Sequence, residues 1–227
     1  MKLPFTAEQF FEVFARYNQS VWPMQVILTA LAVTATIMAF RRPGLWQSRF
    51  ISSVLAFYWA WMAVAYHFVF FTAINAAAWI FGLLFLAGAI CFISTGILRN
   101  RLQFQFCHCI RGWIGGILII FALGVYPLMG HLLGHRYPAV PTFGLPCPTT
   151  IFTIGMLLVA GSHTPKVVSL VPLIWSVIGS LAAFQLGVIQ DLGLLVAGVI
   201  GAVALVLTPA SAKQSAKPRI VSRSMSL

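Results

Sequence analysis

Residues 50–98 read FISSVLAFYWAWMAVAYHFVFFTAINAAAWIFGLLFLAGAICFISTGIL, without one charged side chain. A helix rises about 1.5 Å per residue, and crossing a bilayer core takes about 20 mainly apolar residues. The run is too long for one crossing and too apolar for a surface facing water. A break near Phe71 to Asn75 divides it into two spans.

The rest of the chain follows the same reading. Of 227 residues, 60% are hydrophobic and 7% charged, against roughly 25% charged in soluble domains. So few charges cannot solvate a folded unit of this size, so lipid is the expected solvent and the expected partner. The net charge of +11 does not indicate nucleic acid, because the cations are scattered between apolar runs, where they mark loops and orientation. Ser20 to Phe40 supplies the first span, the run above the second and third, and Gly112 to Gly130 the fourth. Cys147 to Gly161, short and led by prolines, supplies a fifth that either spans or re-enters. Val167 to Ala212 holds the sixth and seventh, meeting at Asp191. The expectation is an all-α membrane protein, a bundle of seven transmembrane helices, or six if 147–161 does not cross.

The organisation expected is an amphipathic segment 1–19, a bundle 20–212 and a disordered basic tail 213–227. The N-terminus does not read as a secretory signal, because Lys2 is followed by Glu8 and Glu12 rather than an apolar core. Residues 5–17 form a short helix. Thr6 and Gln9 fit a capping box, and Phe5 and Phe10 a hydrophobic staple. Phe10, Val13, Phe14 and Tyr17 share one stripe, which rests on a membrane surface or packs over the bundle.

Orientation follows from the cations. With the N-terminus outside, Arg41, Arg42, Arg49, Arg99, Arg101, Arg111, Lys166 and the four tail cations fall inside. Only Lys2, Arg16 and Arg136 fall outside, as the positive-inside rule requires. The C-terminus is then cytoplasmic. Gly179, Ala183 and Gly187, and likewise Gly193, Ala197 and Gly201, recur every four residues and predict close packing of the last two spans.

The candidate site lies at the outer face. His67 falls 17 residues after Phe50, about 26 Å along a helix, and His131 lies at a similar depth. His135, Asn75, Cys147 and the lone Asp191 fall at the same level. Polar groups there are costly unless wetted or paired, which marks them as functional candidates. His67, His131, His135 and Asp191 are the substrate or proton-site candidates and would also suit zinc. The alternative is that they are interfacial residues. Cys107-His108-Cys109 could hold a soft metal on the inner side, but a cluster of three residues in a short basic loop reads first as buried or interfacial cysteine. No disulfide framework is expected, and His163 reads as a loop residue.

The run Leu3 to Phe10, with Tyr17-Asn18 and Val21-Trp22-Pro23, resembles the start of an uncharacterised family of bacterial integral membrane proteins. Tyr66 to Gly82 and the Pro-Cys-Pro-Thr of 146–149 extend the resemblance over nearly the whole chain. It implies a bacterial inner membrane and no activity. A second similarity, to the seven-span zinc hydrolases of the ceramidase and adiponectin-receptor group, rests on histidines combined with an Asp. Here the His131/His135 pair follows the fourth span, not the last as in that group. The functional expectation is a small permease or transport-type protein with its polar site outside. The alternatives are a membrane-embedded metal-dependent hydrolase and a non-catalytic structural or sensory subunit, self-associated or bound to a partner membrane subunit.

Overall fold

The computed structural model describes residues 3–41, 43–160 and 164–207, with side chains as far as 204. Lys2, Arg42, His163 and the basic tail 213–227 lie outside the described residues. Regular structure among the described residues is helical, with no strand. We number the helices α1 (Ala7–Ser20), α2 (Met24–Ala39), α3 (Leu45–Ala73), α4 (Ala78–Leu98), α5 (Ile110–Leu132), α6 (Pro146–Val159), α7 (Val167–Leu186) and α8 (Ile189–Ala204).

The two ends of α1 are set locally. Gln9 N–H donates to Thr6 Oγ1 at 3.2 Å, and Thr6 N–H donates to Gln9 Oε1 at 2.9 Å. These bonds satisfy donors that the first turn leaves free. Phe5 and Phe10 stack with centroids 5.8 Å apart, completing the expected staple. The stripe Phe10, Val13, Phe14 and Tyr17 is buried, in one cluster with Tyr66, Phe71, Leu145, Ala183 and Val188. So α1 packs over the bundle. It then turns by 85° into α2.

Four helices, α3, α4, α5 and α7, are long and apolar enough to cross a membrane, and the bent α1–α2 pair is a fifth if counted as one. By length and composition this is fewer than the seven expected. The difference comes from α6 and α8, which are apolar but short. The reason for α6 is clear from its surroundings. Every residue from Pro148 to Val159 is buried. At about 1.5 Å per residue, its 14 residues cover about 21 Å. A helix enclosed by protein satisfies its ends against protein and need not reach the bilayer surfaces.

The division of residues 50–98 falls where the composition placed it, between Ala73 and Ala78. The last break falls earlier than expected. It is at Gly187, left-handed with φ 70°, a conformation that costs any side chain with a Cβ. Asp191 then opens α8 rather than lying at the bend. The small-residue stripes serve the expected hairpin and other contacts besides. A Cβ on Gly179 would lie 2.8 Å from Leu194 of α8, and one on Gly201 would lie 3.1 Å from Leu173 of α7 and 3.0 Å from Ile154 of α6. On Gly193 it would strike Phe121 of α5. A close backbone approach between helices, unforeseen in the sequence, is that of α5 against α6. There a Cβ on Gly115 would sit 2.7 Å from the Gly155 carbonyl oxygen.

Outward faces of the long helices carry bare aliphatic and aromatic side chains, such as Ile110 (81% exposed), Phe184 (79%) and Leu98 (71%). Apolar surface this extensive marks a membrane or protein contact. Large aromatics fill the interior. Trp59 packs against Phe85 at 4.6 Å, and Tyr58 donates to Leu28 O at 2.7 Å.

The bundle has two unlike ends. At one, the segment between α4 and α5 is strapped down. Phe106 N–H donates to Ala39 O at 3.0 Å, Gln47 Nε2 to Met38 O and to Phe104 O, and Arg49 Nε to Asn100 Oδ1 at 2.7 Å. Phe104 pairs with Ala160 in an isolated bridge. Arg41, Arg99, Arg101, Arg111 and Lys166 flank this end in sequence. Cys107 and Cys109, also here, are joined by a disulfide. The pair stands where the sequence offered a soft-metal site, Cys107 and Cys109, with Cα atoms 5.2 Å apart. The other end is roofed by α1.

Candidate functional site

Under α1 lies a cavity of about 640 Å³. Phe5, Phe10 and Phe14 of the N-terminal segment form its roof, and Tyr66, Phe71, Phe81 and Trp175 line its walls. Asp191, Tyr126 and Cys147 supply its polar corner. No Lys, Arg or His is among the described residues that line it.

The roof is pinned by one residue the sequence reading did not single out as a site. Asn18, fully buried, donates through Nδ2 to Pro138 O and Val140 O, both at 2.7 Å. Its Oδ1 accepts from Thr142 Oγ1 at 2.7 Å, and its carbonyl accepts from Gln25 Nε2 at 2.8 Å. The loop between α5 and α6 is thereby tied to the α1–α2 corner. Beside it, Trp61 Nε1 donates to Tyr17 Oη at 2.8 Å, and Tyr17 donates to Gly144 O at 3.4 Å.

Asp191 is only 3% exposed. It precedes the α-helical part of α8, where the helix dipole favours negative charge. The buried Tyr126 hydroxyl donates to its Oδ1, and the Cys147 thiol also approaches it. Tyr126 comes from α5, Cys147 from the first turn of α6 and Asp191 from α8, so three helices meet there. Trp175 Nε1 approaches the Cys147 sulfur.

The four sequence candidates reach the same end of the bundle but do not form one site. His67 is fully buried in an aromatic box. Its ring lies 4.5 Å from Phe85, 5.1 Å from Tyr66, 5.2 Å from Trp175 and 5.9 Å from Phe81. Neither ring nitrogen has a partner. His131 is exposed and lines, with His135, a separate groove between α2 and α5. His135 rests on Phe11, ring centroids 4.6 Å apart, with Nδ1 3.2 Å from Gln190 Nε2. Asp191 alone of the four lines the cavity. No three of the His, Cys, Asp and Glu residues described form a group able to hold a metal. The zinc set His67, His131, His135 and Asp191 is therefore not assembled, because His67 is enclosed by rings and the other two histidines face away.

Tyr126 and Pro141 line both the cavity and the α2–α5 groove, so they form a wall between the two. Sequence reasoning passed over Tyr126 and Trp175. Their only signal was the pairing of a lone Asp with hydrogen-bonding aromatics in otherwise apolar spans.

A family model described as a family of unknown function, DUF6064, matches residues 7–216. No curated protein and no solved structure matches the chain.

Proposed function

The chain belongs to the DUF6064 family, and on that premise we propose that it is a small permease-type membrane protein that loads an apolar molecule into the cavity under α1. The observation that carries this reading is the cavity itself. About 640 Å³ lies within the roughly 300–1,000 Å³ of small-molecule sites. Apolar walls and one convergent polar corner are the usual makeup of such sites.

The membrane part of the proposal is a chain that crosses seven times in a bacterial inner membrane, with α6 and α8 as short crossings sheltered by their neighbours. Support comes from the two ends of the bundle. Among the described residues, Arg41, Arg49, Arg99, Arg101, Arg111 and Lys166 belong to the strapped end, and only Arg16 and Arg136 to the roofed end. By the positive-inside rule the strapped end is cytoplasmic and the roofed end outside.

The experiment is photolabelling of the purified full-length protein with a neutral apolar aryl diazirine, read by peptide mass spectrometry. Saturable labelling of Phe10, Ile178 and their neighbours is expected, on top of non-saturable labelling of the outward faces. Ala182→Trp, on the cavity wall, should abolish the saturable part alone. Labelling that stays linear at the cavity residues would remove the basis for a loading site.

A further inference from the structure

We infer that the cavity selects a hydrophobic cation, an apolar body carrying an amine or quaternary onium group, with Asp191 as its counter-ion. The inference rests on the reading of the cavity as a ligand site and adds the sign of the ligand's charge.

Three observations converge. Asp191 is buried, lines the cavity and is the sole acidic side chain there. An ionised carboxylate in apolar surroundings is costly unless a positive charge pairs with it. No cationic side chain among the described residues lines the cavity to do so. The Tyr126 hydroxyl and the Cys147 thiol offer dipoles to the carboxylate, but neither neutralises it.

The walls fit the same ligand. Tyr66, Phe71, Phe81 and Trp175 line the same cavity as Asp191, and aromatic faces attract cations more strongly where water is excluded. An anion would meet the carboxylate and the negative faces of the rings. A neutral molecule of the same shape can enter but gives the carboxylate no counter-charge, and so binds more weakly than the cation.

The test uses full-length protein in detergent, with tetraphenylphosphonium as probe and tetraphenylborate as its anion of matching shape. Equilibrium dialysis should show saturable binding of the cation, with no competition by the anion. Asp191→Asn should weaken cation binding by at least about tenfold, while Asp191→Glu keeps most of it. The contrast between the two ions on unaltered protein decides the matter even if Asp191→Asn fails to fold. Equal binding of both ions, or unchanged binding by Asp191→Asn, would overturn the assigned charge while diazirine labelling still reports a cavity that takes ligands. Absence of cation binding, together with loss of saturable diazirine labelling, would overturn both.

Discussion

The two ends of this bundle solve the same problem in opposite ways. At the strapped end, the α4–α5 segment enters the bundle and its polar groups are answered one by one. Gln47 donates to two carbonyls and accepts from Gly44 N–H at 2.9 Å, and Ser48 Oγ accepts from Phe104 N–H at 3.3 Å. The space left there, about 250 Å³ beside Gly44, Ser48 and Asn100, is smaller than the cavity at the other end. At the roofed end, α1 is laid across the bundle as an aromatic cover and a cavity is left beneath it. Hydrogen bonds there are concentrated at the rim, on Asn18 and Tyr17, and the interior polar groups are few. An end closed by backbone hydrogen bonds is fixed in shape. An end closed by packed rings over a void has an interior that a ligand can fill.

The contrast can be broken in order of effect. Ala35 is completely buried in the packed core. Ala35→Trp should cost more than about 3 kcal/mol and prevent recovery of monodisperse protein, since overpacking forces off-rotamer side chains and backbone shifts. Asn18→Leu leaves the half-buried carbonyls of Pro138 and Val140 without donors and should cost about 3 kcal/mol. Melting in detergent would show the loss, and hydrogen exchange would locate it in the loop 133–145. Gln47→Leu should cost about 2 kcal/mol by the same argument, with faster exchange confined to the strapped end. Faster exchange at both ends in either variant would mean that they do not close independently.

His67→Phe should be neutral or stabilising by about 1 kcal/mol, because it removes two buried nitrogens with no partners. A clear drop in melting temperature would show that the ring nitrogens are satisfied and return His67 to the candidate site. Smallest of all, Ala182→Trp should shift stability by less than about 1 kcal/mol, because the added ring enters existing space. A loss approaching that of Ala35→Trp would mean that the cavity is not there to be filled.

Much of the frame was legible in the chain. The capping box at Thr6 and Gln9 was readable because caps are local, decided within one turn. The break near Phe71–Asn75 was readable because a helix has a fixed rise and a bilayer a limited thickness. The candidate site was less so. His67 was placed at the correct end by counting residues, but counting gives depth and not direction. Its ring turned out to face Phe85 and Trp175, which lie 18 and 108 positions away in the chain. Asn18 entered only as part of the Tyr17-Asn18 resemblance, and its importance comes from a loop about 120 residues further on.

By itself the sequence determined an all-helical chain suited to lipid, where the long helices start and stop, and which ends of the bundle hold the cations. These follow from composition and from interactions within a few residues. Only the tertiary structure decided that α6 lies enclosed, that α1 roofs a cavity, and that Tyr126 meets Asp191 while the three histidines go elsewhere. Those outcomes depend on which faces of distant helices meet, and in chains this uniformly apolar no periodicity marks one face from another.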